Sequence, residues 1–189
     1  MPVVVLQKKD YRIGGAGNVA LNIQSLGAEA FVLSVTGADE DAEKLQQLFK
    51  EKAINTEYSI QSAGRITTNK TRIISRNQQM MRLDAEITGD LSGNDADALL
   101  QKVKLFIKNE KPHILIFEDY NKGVLTEKLI TAVIALCKEQ GVLTAVDPKR
   151  KNFFTYKGVD IFKPNLKEVK EGLNLLLDTV DLKALSSIH

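Results

Sequence analysis

Three groups of residues in this chain have types and spacings that can do chemistry. The first is Gly14-Gly15-Ala16-Gly17-Asn18-Val19-Ala20. Its glycines open an amphipathic stretch, so backbone N–H groups are exposed and a ligand can come close. Asn18 sits at the mouth of that stretch, where its amide can hydrogen-bond hydroxyl groups. The second group is basic. From Tyr58 to Leu83 there is no acidic residue, yet Arg65, Lys70, Arg72, Arg76 and Arg82 all occur. In an extended strand Lys70, Arg72, Ile74 and Arg76 share a face, and cations without a counter-acid suit an anionic group such as a sugar phosphate. A solvated strand face is the plainer alternative. The third group comprises Glu118-Asp119, Asp147-Pro148-Lys149 and Lys163-Pro164-Asn165, each following an apolar run.

These groups must be positioned by a regular frame. Val3–Leu6 reads as a strand, 17–26 as a helix, 30–35 as a buried strand, and Asp39 as the cap of a helix through Lys52. Residues 57–84 are polar, alternating and β-rich. Residues 95–109 are helical. Beyond them the pattern alternates: strand 113–117, helix 126–140 closed by Gly141, strand 142–146, short strand 160–162 and helix 165–177. Such alternation predicts a mainly parallel sheet covered by helices. In that sheet the carboxyl ends of the strands line one edge, so the polar groups after Phe117, Val146 and Phe162 converge on one cleft.

Each motif also has a competing interpretation. Gly15-x-Gly17-x-x-Ala20 satisfies a dinucleotide fingerprint. Lys8–Arg12 intervenes between the first apolar run and the glycines, however, and the strand at 31–35 ends in Thr36-Gly37 instead of a ribose-binding acid. A glycine turn used only for close packing would need one glycine, not three. Asp119 can bind two hydroxyls or cap the following helix, for which Thr126 is already a candidate. Asp147 before Pro148 can be a turn residue. Asn165 and Glu168 have the spacing of a capping box.

The order Gly-Gly-Ala-Gly-Asn-Val-Ala, then Gly27, then Gly37 resembles the first signature of the ribokinase-like (PfkB) carbohydrate kinases. Lys70-Thr71-Arg72, Asn77-Gln78-Gln79, Arg82-Leu83-Asp84, Asp119-Tyr120-Asn121-Lys122-Gly123, Asp147-Pro148-Lys149 and Pro164-Asn165 narrow the resemblance to the heptose 7-phosphate kinases of that family. It covers nearly the whole chain. It implies an α/β fold: a ribokinase-like, mainly parallel sheet with helices on both faces and a small β-sheet lid. The lid strands fall at about 2–13 and 65–84, and residues 1–189 form one partial kinase domain. It implies sugar-phosphate contacts from Gly14, Gly15, Asn18, Lys70, Arg72, Gln78, Arg82, Asp119 and Lys122. Phosphate and magnesium positioning is expected of Asp147, Lys149, Asn165 and Glu168, with Mg2+ held without direct protein ligands and ATP as co-substrate. It also implies phosphorylation of the sugar's anomeric hydroxyl for ADP-heptose and lipopolysaccharide synthesis, and a homodimer formed through the lid sheet. Another sugar or sugar-phosphate kinase, or a non-catalytic sugar-phosphate-binding fragment, are the alternatives.

The resemblance further implies a Gly-Ala-Gly-Asp phrase that carries the catalytic base. The only Gly-Ala-Gly here is at 15–17 and precedes Asn18. The expectation is therefore that this polypeptide alone transfers no phosphoryl group, and that the family's first core strand precedes Met1.

Composition is consistent with one globular domain: 189 residues, 43% hydrophobic and 26% charged. A net charge of +2 with few interleaved aromatics argues against a nucleic-acid partner. No apolar run approaches the ~18 residues of a membrane span, and the N-terminus lacks the pattern of a signal peptide. One cysteine, Cys137, excludes an intrachain disulfide, and two distant histidines supply no zinc-ligand spacing. The expected setting is cytoplasmic, with no membrane partner.

Overall fold

A computed structural model describes residues 5–174. Its centre is a split parallel sheet. The segment 31–36 ends in β1 (Val35–Thr36), which pairs in parallel with β2 (Ile60–Gln61). A second sheet holds β5 (Ile114–Glu118), β6 (Leu143–Asp147) and β7 (Ile161–Phe162), all parallel, in that order.

The strand expected at 30–35 is thus a shorter ladder than its apolar pattern suggests. Phe31 bridges Asn55, and the ladder resumes only at Val35. Between them the chain turns at 56–59, with Ser59 N–H donating to the Thr56 carbonyl. The Ser59 hydroxyl fills the gap: it accepts from the Ser34 N–H at 3.0 Å and donates to the Val32 carbonyl at 2.8 Å.

The period-two alternation of this segment places two layers of helix. Val32 packs with Ala20, Phe49 and Ile54 on the side of α1 (Ala16–Ser25) and α2 (Glu40–Glu51). Phe31, Leu33 and Val35 face the larger cluster, built with Leu99, Val103 and Phe106 of α3 (Gly93–Glu110) and Ile130, Val133 and Ile134 of α4 (Glu127–Gln140). Helices therefore lie on both faces. Their ends are written locally. Asp39 caps α2 through the Ala42 N–H, Ser92 caps α3 through Asp95, and Thr126 caps α4 through Leu129. Gly141, at φ 69°, closes α4 in the left-handed region.

Between the 31–36 segment and β5 lies a cleft of about 2490 Å³. Leu33, Val35, Ile114 and Ile116 line it, with Ile23 of α1 and Phe49 of α2. On this side of the β5–β6–β7 sheet Ile114, Ile116 and Leu143 remain partly exposed.

A separate antiparallel hairpin, β3 (Asn69–Ser75) and β4 (Gln78–Ala85), lies where the lid strands of 65–84 are expected. Arg76 and Asn77 make its two-residue turn, both at positive φ (48° and 63°), the geometry that matches strand twist. The other lid strands, expected within 2–13, are not formed where the chain is described. Residues 5–12 carry no ladder, and Val5 and Leu6 are 80% and 74% exposed. An apolar run becomes a strand only when an edge is available to pair with it. Residues 1–4 lie outside the described part of the chain, as do residues 175–177 of the last expected helix. The described part of that helix, α5, runs from Leu166 to Gly172.

Candidate functional site

The site forms at the carboxyl edge of the two parallel sheets, and the 65–67 segment shows that this edge is shared. Thr67 Oγ1 accepts from the Gly37 N–H at 2.9 Å, just past β1. The Arg65 guanidinium donates to the Lys122 carbonyl at 2.6 Å, just past β5. The hairpin rises from this point. Gly37 has no room for a side chain: a Cβ there would lie 2.6 Å from the Arg65 carbonyl and 2.9 Å from the Thr67 nitrogen.

The basic segment that looked free of counter-acids finds them just beyond its end. Lys70 Nζ lies 2.8 Å from both Asp84 and Glu86, Lys122 Nζ lies 2.6 Å from Glu86, and Arg82 Nε lies 2.9 Å from Asp84. This corrects the expectation of unpaired cations. The cause is hairpin register: Lys70 stands opposite Asp84. The Lys70 ammonium holds the Asp84 carboxyl below its ordinary range, with Arg82 adding to the effect. Lys122 and then Lys70 do the same for Glu86. Arg72 and Arg82 are cross-strand partners on the same face, and Arg72 makes no ion pair among the described residues. Gln78 stands opposite Ser75 at the far end of the hairpin, roughly 20 Å from Lys70 at strand spacing. Lys70, Arg82 and Lys122 are therefore joined in one network, and Gln78 is not.

Asp119 has a different use from the one its position suggested. It is 3% exposed and both oxygens are engaged. Oδ1 accepts from the Asn121 N–H at 2.8 Å. Oδ2 accepts from the Tyr156 hydroxyl at 2.8 Å and from Asn152 Nδ2 at 3.0 Å. Asn152 also donates to the Leu125 carbonyl. These three protein donors take up most of the carboxylate's acceptor capacity and hold its loop. Burial, then the Asp119 charge, pushes the Tyr156 phenol upward. Nothing local in the sequence marks Tyr156 or Asn152, which lie 37 and 33 residues away.

The glycine turn meets the β5 loop. Gly15, at φ 56°, is the N-cap of α1 and offers it no side chain. Its position faces the Tyr120 ring, 3.8 Å from where a Cβ would stand. Gly14 and Asn18 are exposed beside it. Gly17 is a packing glycine, since a Cβ would meet Ile13 and stand 2.8 Å from Phe49 Cζ. Both uses of glycine, open approach and close packing, thus occur within four residues.

At the ends of β5 and β6, Glu118 and Asp147 stand in register. Burial first, then the Asp147 charge, raises the Glu118 carboxyl. Asp147 Oδ1 is buried with no hydrogen-bond partner, and Oδ2 lies 3.8 Å from Lys163. Lys149 pairs closely with Glu168. Burial opposes the Lys149 charge, but Glu168 and Asp147 outweigh it and raise the ammonium. Asn165 and Glu168 form a complete capping box for α5: Asn165 Oδ1 accepts from the Glu168 N–H at 2.9 Å, and Glu168 Oε2 accepts from the Asn165 N–H at 2.7 Å. Burial opposes the Glu168 charge too, yet Lys149 and the Asn165 N–H lower its carboxyl.

Among the described residues no group of three or more histidine, cysteine, aspartate or glutamate side chains could hold a metal ion by itself. Nor is any helix among them long and apolar enough to cross a membrane.

Residues 3–187 match the model of the pfkB family carbohydrate kinases. The chain is 38% identical to the Bifunctional protein HldE of Methylobacillus flagellatus over 175 residues, which is 93% of this chain and 36% of that protein. It is 34% identical to the HldE of Campylobacter fetus, covering 96% of this chain and 39% of that protein. It thus spans less than half the length of these relatives. Among solved structures it resembles the tetrameric inhibited form of Escherichia coli phosphofructokinase-2, with a TM-score of 0.70, 16% identity, and coverage of 97% of this chain and 62% of that one. It also resembles 2-dehydro-3-deoxygluconokinase of Thermotoga maritima, with a TM-score of 0.71, 14% identity, and coverage of 93% and 57%. At these identities the structural likeness establishes the ribokinase-like fold, of which this chain is part.

Proposed function

The chain belongs to the pfkB family of carbohydrate kinases, and we propose that it carries the sugar-phosphate side of an ATP-dependent kinase cleft, for D-glycero-D-manno-heptose 7-phosphate. The observation that carries this reading is the cation network at the hairpin root. Lys70, Arg82 and Lys122 share only two carboxylates, Asp84 and Glu86, and Arg72 stands opposite Arg82 beside them. The surplus charge suits a phosphorylated sugar better than a neutral one. The relatives above, both named Bifunctional protein HldE, together with the Lys-x-Arg and Arg-Leu-Asp phrases of this chain, support the heptose assignment.

In this reading Arg72 and Arg82 bind the sugar's phosphate, while Asp84, itself held by Lys70, orients Arg82, and Glu86 ties Lys70 to Lys122. Gly14, Gly15 and Asn18 approach the sugar from the other wall, and Asp119 keeps the intervening loop in place. The heptose's anomeric oxygen attacks the γ-phosphorus of ATP and ADP leaves; the base that takes the hydroxyl proton is contributed from outside these residues. This polypeptide alone therefore turns over no ATP.

Magnesium fits the strand-end pair. The orphaned Asp147 oxygen and neighbouring Glu118 would hold it, largely through water, as this ion favours. When bound, it would neutralise charge on the transferring phosphoryl group. Lys149 is held by Glu168 next to Asp147, where its ammonium can meet a phosphate oxygen. Exposed Ile74, Met80, Met81 and Leu83 on the hairpin support a homodimer through this sheet. The working setting is cytoplasmic.

Calorimetric titration of the chain with heptose 7-phosphate and with fructose 6-phosphate tests the assignment. At least tenfold preference for the heptose is expected, and equal affinity would remove it. ATP hydrolysis by the chain, purified free of any longer kinase, would refute the half-site reading.

A further inference from the structure

The hairpin has little to orient it except its roots. All of β4 is exposed, and β3 is at most half-buried. At the entry root, the Thr67 N–H donates to Asp39 Oδ2 at 2.8 Å and Thr67 Oγ1 accepts from Gly37. Two residues earlier on the same entry segment stands Arg65. Its Nη1 donates to the Gly89 carbonyl at 3.0 Å, and its Nη2 donates to the Ile87 carbonyl at 3.0 Å and to the Lys122 carbonyl at 2.6 Å. One guanidinium thus joins three segments: the entry to the hairpin, its exit at 87–89, and the loop after β5.

All three acceptors are backbone carbonyls, so no side-chain exchange elsewhere can replace them. The planar fork of arginine reaches all three at once, whereas a lysine ammonium is a single point. Gly123 makes the approach possible. A Cβ at this residue, which has φ 73°, would run into the Gly89 carbonyl. The Gly123 carbonyl in turn accepts from the Leu91 N–H at 2.9 Å. The loop that Arg65 grips is fixed at its other end by Asp119, through Asn152 and Tyr156. Asn152 lies three residues after Lys149. The short loop 119–122, with hydrogen bonds at both its ends, therefore links the hairpin root to Asn152, whose N–H donates to the Lys149 carbonyl at 3.2 Å.

We infer that Arg65 is a positioning residue that pins the β3–β4 hairpin to the loop after β5. It thereby sets the distance between the hairpin cations Arg72 and Arg82 and the groups at the sheet edge. In this arrangement the Arg65 fork is engaged by backbone carbonyls. The ligand-binding consequence rests on the sugar-phosphate reading above; the pinning itself does not.

The test places nitroxide labels through Asn77→Cys at the hairpin turn and Glu139→Cys on α4, both exposed, while buried Cys137 stays unlabelled. Electron-resonance distance measurements are made in the Arg65, Arg65→Lys and Arg65→Ala backgrounds, alongside titration of the unlabelled proteins with heptose 7-phosphate. A narrow distance distribution is expected with Arg65, a broad one with Arg65→Ala, and an intermediate one with Arg65→Lys. Helical circular dichroism should be unchanged throughout. Heptose 7-phosphate affinity should fall at least tenfold in Arg65→Ala and recover in part in Arg65→Lys. An unchanged distribution in Arg65→Ala overturns the pin. A broadened distribution with unchanged affinity overturns its role in binding. If the unsubstituted chain binds no sugar phosphate, the functional reading fails, and the distance measurement alone still decides whether Arg65 pins the hairpin. Should Arg65→Ala not fold, Arg65→Lys carries the same comparison with the charge retained.

Discussion

Replacing Tyr156 with phenylalanine isolates one bond of the network that holds the loop after β5. The ring is 3% exposed and packs against Phe117 at 5.6 Å between centroids, so phenylalanine fills the same space. Only the hydroxyl is lost, together with its 2.8 Å bond to Asp119 Oδ2. That oxygen keeps Asn152 as a donor at 3.0 Å, so the carboxylate is not stripped of partners. A hydrogen bond to a charged group is worth about 1.5–3 kcal/mol. Nothing in the variant leaves a new buried donor unsatisfied, so the loss should fall in that range. For a chain of this size the melting temperature should drop by about 3–12 °C. Urea unfolding followed by far-ultraviolet circular dichroism measures the loss, with the slope m expected to be unchanged. Asp119→Asn should cost at least as much, because its NH2 group must face donors that now point at oxygen. In the double variant the losses should sum to less than the two taken singly, since they share one bond. A loss below about 0.5 kcal/mol for Tyr156→Phe would refute the reasoning; the loop would then owe its shape to its own turns.

Other consequences are open to measurement. Glu118 binds its proton more tightly in the fold than in the unfolded chain, so stability should fall as pH rises from about 4.5 through the raised folded value. Glu118→Gln should flatten that slope and unfold at higher urea than the parent at pH 7; a difference constant from pH 4 to 8 would contradict this. Gly123→Ala forces a Cβ toward the Gly89 carbonyl at a positive φ, and should cost at least about 2 kcal/mol in thermal denaturation. Glu86→Gln releases Lys122 and leaves Lys70 with Asp84 alone. Trypsin should then cleave at Arg76 sooner at neutral pH, and an unaltered cleavage rate would show that the ion chain does not steady the hairpin.

Much of the frame is legible in the sequence because it is written in local signals. Thr126 and Gly141 mark both ends of α4, and Asn165 and Glu168 announce the capping box that the structure contains. The alternating run at 57–84 yields the hairpin, whose turn falls at Arg76-Asn77. What is not legible is long-range. Whether Asp119 faces solvent depends on Tyr156 and Asn152, and whether Lys70 is free depends on a register that sets it opposite Asp84. Arg65 looks like one more cation of a basic run, because its partners are carbonyls, which every residue carries. Val5 and Leu6 show the opposite case: their composition is that of a strand, but they have no neighbour to pair with.

The partition of the interior by the 31–36 segment also has a dynamic consequence. Val32 belongs to the small cluster with Ala20, Phe49 and Ile54, and Val35 to the large one with α3 and α4. The small cluster has one wall on the cleft and few apolar side chains to lose. Its amide hydrogens in α1 and α2 should exchange with deuterium through a local opening, while those of α3 and α4 wait for global unfolding. The wall that carries Gly14, Gly15 and Asn18 is thus the softer half of the molecule. A ligand that bridges the cleft would be reported first as slowed exchange in α1.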